Sequence, residues 1–267
     1  MWNFLLAFIP RAIVQGIPLL YGSTGEIITE KSGNLNLGIP GVMYVGAISG
    51  VIGSFFYERS AGSAAAMNPV LAILRNVPLE QTLDYAEAIV AGGIRFFEVA
   101  LNSKDGLKQI SVLRKRYGDR CLIGAGTAIT VELAEKALNA GAQFLLTPGA
   151  PTDVLEYCAK NNVKLLPGVL TPSEIAASLE YGYKTMKLFP AGAMPLNYVK
   201  SLKGPFDQGN YVAIGGVCPS NYKSFFASGY LGVGMASNLM PAEAAANGDW
   251  EACAAAVRKI VDDLKKA

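Results

Sequence analysis

From residue 70 onward the chain alternates between two hydrophobic rhythms. Continuous apolar runs rich in Val, Ile, Leu and Phe fall at Val70–Arg75, Arg95–Leu101, Cys121–Gly126, Gln143–Pro148, Lys164–Val169, Thr185–Pro190, Tyr211–Gly215 and Leu231–Ala236. Short runs of this kind predict parallel strands buried on both faces. Between them the apolar positions return at helical spacing. Leu83, Ala86 and Val90 form such a stripe within Leu79–Ala91, and Val131, Ala134 and Leu138 form one within Thr130–Ala140. Pro172-Ser173-Glu174 opens a further helix, with Thr171 as N-cap and Glu174 three residues on. Gly92, Gly141 and Gly182 fall where helices should stop. The strand centres recur roughly every 19–26 residues, which suits successive βα units. The pattern predicts an α/β fold, a (β/α)8 TIM barrel over residues 67–267, with a doubly wound open sheet as the alternative.

The rhythm is different before residue 67. Residues 1–66 hold three cations (Arg11, Lys31, Arg59) and three anions (Glu26, Glu30, Glu58), of 23 and 21 in the whole chain. Gly38–Phe56 is uncharged over 19 positions, close to the ~20 residues of a membrane-spanning helix. The glycines within it suit close helix packing in lipid. An apolar helical segment with membrane association through residues 1–60 is therefore expected. A signal peptide fits poorly, because a basic leader is missing and the apolar stretch is too long. Gly25–Gly38 and the following Ile-Pro-Gly-Val-Met43 resemble the start of ATP-binding-cassette permeases for sugars or nucleosides, of which this would be a fragment. The linker at residues 60–66, Ser-Ala-Gly-Ser-Ala-Ala-Ala, is flexible in composition.

Composition narrows the chemistry. The chain has 267 residues and no histidine, which removes Ser-His-Asp triads, Cys-His pairs and imidazole metal ligands. A net charge of +2 with 16% charged residues gives no footprint for nucleic acid. Cys121, Cys158, Cys218 and Cys253 are widely spaced with no CxxC pair. That speaks against zinc or a disulfide framework and for a reducing, cytoplasmic compartment. The barrel would be tethered there if residues 1–60 enter a membrane.

The chemistry of such barrels sits at the C-terminal strand ends. In Thr185–Pro190, alternation puts Thr185, Lys187 and Phe189 on the inner face and Met186 and Leu188 against the helices. An inward lysine is either a snorkelling or ion-paired residue, or an amine held neutral to attack a carbonyl. Glu98 shares an inward face with Phe96 and Ala100. It reads either as the partner of a structural ion pair or as a proton shuttle beside a nucleophile. Arg75 ends the first strand on the face of Ile73, suited to a carboxylate or simply solvated. Gly215-Gly216 and Ser237 end the seventh and eighth strands, where barrels often hold phosphate on backbone N–H groups.

In order along the chain come Ala-Gly-Gly-Ile-Arg-Phe-Phe-Glu98, Ile-Gly-Ala-Gly-Thr127, Thr147-Pro-Gly149, Leu166-Pro-Gly168, Met186-Lys187-Leu-Phe-Pro190 and Ile214-Gly-Gly216. Together they resemble the 2-keto-3-deoxy-6-phosphogluconate / 4-hydroxy-2-oxoglutarate aldolase family. The resemblance implies a class I aldolase without metal or other cofactor. Its substrate is a phosphorylated keto-sugar acid, cleaved to pyruvate and glyceraldehyde 3-phosphate. It implies Lys187 as the Schiff-base lysine and Glu98 as the proton carrier. Thr127, Pro148 and Phe189 fall around the pyruvyl end, and Gly215, Gly216 and Ser237 at the phosphate end. A homotrimer is also implied. Asn102 stands where some members carry an arginine for the substrate carboxylate. Ala72-Ile-Leu-Arg75 and Leu101-Asn-Ser103 look like the phosphogalactonate members, so the resemblance passes that role to Arg75. Two other readings compete: a membrane transport component, and a phosphate-binding barrel without lyase activity.

Overall fold

The computed structural model describes residues 69–265. The expectations for residues 1–66, including the permease resemblance and the membrane segment, lie outside the described residues. Among the described residues no helix is long and apolar enough to cross a membrane.

The strands are β1 (Val70–Leu74), β2 (Phe96–Ala100), β3 (Leu122–Gly126), β4 (Phe144–Leu146), β5 (Leu165–Leu166), β6 (Gly168–Val169), β7 (Thr185–Leu188), β8 (Asn210–Ile214) and β9 (Gly232–Met235). All pair in parallel in the order β5-β4-β3-β2-β1-β9-β8-β7-β6. The helices are α1 (Thr82–Ala91), α2 (Gly106–Tyr117), α3 (Val131–Asn139), α4 (Thr152–Lys160), α5 (Pro172–Glu180), α6 (Tyr198–Lys203), α7 (Tyr222–Ala227), α8 (Ala242–Ala246) and α9 (Trp250–Lys265). This is the expected TIM-barrel plan, with the fifth stave cut in two.

Pro167 makes the cut. It carries no N–H and cannot continue a ladder. The stave therefore changes partner at that residue: β5 pairs with β4 through Leu145↔Leu165 and Leu146↔Leu166, and β6 pairs with β7 through Gly168↔Lys187 and Val169↔Leu188. The Lys187 N–H donates to the Pro167 carbonyl at 2.8 Å. The Gly168 N–H donates to Thr147 Oγ1 at 3.0 Å instead of to a main-chain carbonyl. A Cβ on Gly168 would lie 2.4 Å from the Thr147 carbonyl oxygen, so only glycine lets the stave approach β4 this closely. The two halves close the ring.

Alternation along the staves separates two cores. Phe97 and Val99 of β2, Met186 and Leu188 of β7 and Tyr211 and Ala213 of β8 face outward into the layer shared with the helices. Each large side chain removed from water there is worth about 1.5–3 kcal/mol. The barrel interior is a smaller cluster of Leu71, Ile73, Leu146 and Ile214, with Phe96, Phe144, Leu166 and Phe189 packed against it. The helix ring closes where α9 meets α1. A Cβ on Gly92 would sit 2.4 Å from Val257, so this glycine lets the last helix lie close on the first.

Local signals hold with small shifts. Thr171 caps α5 with its side chain on the Glu174 N–H, and the Glu174 carboxylate accepts from the Thr171 and Leu170 N–H groups at 2.8 and 2.9 Å. Burial alone would raise the Glu174 carboxyl, but these two amides and the Thr171 hydroxyl hold it below its ordinary value. The helix expected over Leu79–Ala91 begins at Thr82. Leu79–Gln81 is a 3-10 turn, closed by the Gln81 N–H on the Pro78 carbonyl at 3.1 Å.

Candidate active site

Glu98 of β2 and Lys187 of β7 are the two charged side chains that are buried among the described residues, with 0% and 3% of their surface exposed. They reach toward each other from distant staves, and Lys187 Nζ lies 3.6 Å from Glu98 Oε1. Desolvating a carboxylate and an ammonium together costs several kcal/mol per ion. Neither Glu98 oxygen accepts a hydrogen bond from another protein group. The pair is thus held together by charge and confinement, a poor arrangement for stability alone.

Local sequence makes room for this contact. Opposite Glu98 on β3 lies the Gly124-Ala-Gly126 stretch, paired as Glu98↔Gly124 and Ala100↔Gly126. A Cβ on Gly126 would fall 1.8 Å from Glu98 Oε1. The absence of a side chain at Gly126 is therefore what gives the carboxylate its place. Phe189, two residues past Lys187 on the same face, puts its ring centroid 5.1 Å from Nζ, a distance at which a ring face favours a cation. The Phe189–Pro190 peptide is cis.

Thr127 follows β3 in the left-handed region, φ 65°, a position that a β-branched residue occupies only under strain. Its hydroxyl lies 3.5 Å from Asn102 Oδ1. The next amide, Ala128 N–H, donates to the Leu146 carbonyl at 3.1 Å and ties this turn to the end of β4. There Pro148 is half-buried beside the Gly168 backbone. Such strain at a strand end is invisible in hydrophobic pattern.

Gly215 and Gly216 follow β8 with φ of 86° and 80°, values that disfavour any side chain. A Cβ on Gly215 would meet the Phe189 ring at 2.9 Å, which joins this turn to the Lys187 neighbourhood. The Gly192 N–H donates to the Gly215 carbonyl at 2.7 Å. Ser237 follows β9 and is exposed at the rim. Two residues that the pattern did not single out stitch these turns together. Asn238 donates to the Val217 carbonyl at 2.8 Å, and Asn221 to the Gly216 carbonyl at 2.9 Å.

Arg75 lies one residue beyond β1, which ends at Leu74, and is exposed rather than inside the barrel. The stave stops early because Asn76 turns left-handed at φ 56°. The structure thus brings Lys187, Glu98, Phe189 and Gly215 into contact, sets Thr127 and Pro148 at neighbouring strand ends, and leaves Arg75 and Ser237 at the rim.

The model of the family described as KDPG and KHG aldolase matches residues 62–256. A KHG/KDPG aldolase of Escherichia coli K12 is 32% identical over 211 residues, covering 78% of this chain and 98% of that protein. A 2-dehydro-3-deoxy-6-phosphogalactonate aldolase of the same strain is 32% identical over 173 residues, covering 64% and 84%. The KDPG aldolase of Legionella pneumophila, whose crystal structure holds pyruvate as a covalent carbinolamine intermediate, superimposes with a TM-score of 0.67 at 33% identity, covering 74% of this chain and 97% of that one. A barrel with a buried lysine and glutamate in contact, matched along nearly the full length of these enzymes, makes this chain a member of the KDPG and KHG aldolase family.

Proposed function

We propose that the chain is a class I aldolase that cleaves a 2-keto-3-deoxy-6-phospho sugar acid to pyruvate and glyceraldehyde 3-phosphate. The observation that carries this reading is the buried Lys187–Glu98 contact at 3.6 Å. The names of the relatives and the carbinolamine captured in the Legionella enzyme support it.

The proposed steps balance as follows. Lys187 Nζ, uncharged after giving its proton to Glu98, adds to the C2 carbonyl to form a carbinolamine, whose hydroxyl leaves as water with the proton from Glu98, giving an iminium and an ionised Glu98 carboxylate. As the C3–C4 bond breaks, its electron pair moves into the iminium nitrogen, giving an enamine. The C4 hydroxyl proton passes to Glu98, directly or through a water, and the aldehyde leaves. Glu98 returns a proton to C3, and water then hydrolyses the iminium to free pyruvate and the amine. Positioned proton transfer of this kind is worth roughly 10²–10⁴-fold in rate. In the same reading Arg75 takes the substrate carboxylate. Thr127, Pro148 and Phe189 surround the pyruvyl group, while Gly215, Gly216 and Ser237 hold the phosphate. The subunits form a homotrimer.

Borohydride added with pyruvate should reduce an adduct onto Lys187, located by peptide mass spectrometry. An unmodified protein, or an adduct on another lysine, would overturn the assignment. Pyruvate release from both the gluconate and the galactonate epimer identifies the substrate, and light scattering of the full chain tests the trimer.

A further inference from the structure

The segment that follows Arg75 is held by polar side chains from the next βα unit. The Asn76 N–H donates to Ser103 Oγ at 3.0 Å. The Gln109 side-chain amide donates to the Val77 carbonyl at 2.8 Å and to Thr82 Oγ1 at 2.9 Å. Thr82 in turn donates to the Pro78 carbonyl at 3.2 Å. Ser103, Gln109 and Thr82 are all buried. Gln109 Oε1 is left without a protein partner in this junction, a net cost for any buried polar group. Apolar side chains would pack the same junction without that penalty. The polar set does what apolar packing cannot: it fixes the direction of the backbone.

The bond to Ser103 bears directly on Arg75. A peptide unit is planar, and the Asn76 N–H belongs to the unit that also carries the Arg75 carbonyl. Fixing that N–H fixes the plane and so the direction in which the Arg75 side chain leaves the rim. Asn76 sits at φ 56°, so this turn is not a conformation the chain would hold by default. Ser103 is itself anchored just past β2, its N–H on the Ala100 carbonyl at 3.0 Å and its carbonyl accepting from the Gly106 N–H at 3.2 Å. It thus references Arg75 to the stave that carries Glu98.

We propose that Ser103 is a positioning residue that sets the grip of Arg75 on the substrate carboxylate. The proposal rests on the aldolase reading above. Its test is a double-mutant cycle on the full chain, read as kcat and KM for pyruvate release from the phosphorylated keto acid. Ser103→Ala should raise KM about tenfold, the size of one lost hydrogen bond, with kcat within about twofold. Ser103→Cys, similar in size but a weak acceptor, should do the same, and Ser103→Thr should restore KM. Arg75→Ala should raise KM at least as much, and adding Ser103→Ala to it should change nothing further. An unchanged KM in Ser103→Ala, or an equal loss from Ser103→Ala in the presence and absence of Arg75, overturns the proposal. A wild-type chain that releases no pyruvate and shows no borohydride adduct overturns the aldolase reading instead, and the proposal with it.

Discussion

Gly126→Ala adds one methyl group where Glu98 Oε1 now lies. The new Cβ would stand 1.8 Å from that oxygen, 2.5 Å from Cδ and 2.7 Å from Cγ. Gly126 is the last residue of β3, paired with Ala100 and not in a left-handed turn, so the backbone accepts alanine and the strain falls on the carboxylate. Relief to the 3.4 Å of ordinary contact moves Oε1 by about 1.6 Å. A shift of that size takes the carboxylate out of its 3.6 Å approach to Lys187. A misplacement of ~1 Å at a reacting group costs about 10²-fold, and overpacking costs about 1–3 kcal/mol of stability. A continuous assay of pyruvate release should therefore show kcat lowered at least about 10²-fold in a protein that still melts cooperatively. Glu98→Gln, which keeps the shape but cannot carry the proton, should lose roughly 10²–10⁴-fold. A folded Gly126→Ala enzyme with kcat within threefold of wild type would refute the view that the placement of Glu98 carries proton transfer.

Other perturbations probe the frame. Glu174→Ala removes the acceptor for two backbone amides and should lower stability by about 0.5–2 kcal/mol, measured by urea unfolding. Because the folded Glu174 carboxyl lies below its ordinary value, its contribution is present above the unfolded carboxylate range near 4.3 and fades as pH falls through the folded value. The gap between wild type and Glu174→Ala should therefore narrow in acid, and a pH-independent gap would contradict the capping account. Gly168→Ala places a Cβ 2.4 Å from the Thr147 and Pro148 backbone. It should unfold at lower temperature by more than Gly204→Ala, where φ is −58° and the new Cβ meets only the Ser201 carbonyl oxygen, at 3.4 Å. Cys218 is partly exposed, and its hydrogen bond with Ser220 holds the thiol below its ordinary value, while Cys158 is buried and pushed up to about 11. Iodoacetamide near neutral pH should label Cys218 first, and peptide mass spectrometry showing earlier labelling of Cys158 would contradict that order.

Much of the barrel is legible in the sequence because its strands are buried on both faces and its helices on one. Val70–Leu74 and Phe96–Ala100 are near-continuous apolar runs, and alternation within Thr185–Leu188 is enough to send Lys187 inward. The contact between Lys187 and Glu98 is a different matter. Periodicity aims each residue at the axis but says nothing of distance, which depends on the missing side chain at Gly126. The break at Pro167 was written in the sequence, yet a single apolar run from Lys164 to Val169 masks it. Arg75 escaped the inward rule because a left-handed Asn76 ends β1 a residue early. The bonds from Ser103, Gln109, Asn221 and Asn238 to distant backbone carry no periodic signature at all.

A ring of strands is as strong as its weakest seam, and here the seam lies beside Lys187. At Pro167 the cylinder is riveted by a threonine hydroxyl and a single main-chain bond from Lys187 rather than by a continuous ladder. Breathing motions that open the wall should begin there, so amide protons of Gly168 and Lys187 should exchange with solvent before those at the β2–β3 boundary. Lys187 is thus mounted beside the interrupted seam of the wall, and Glu98 on a stave paired without interruption to both neighbours.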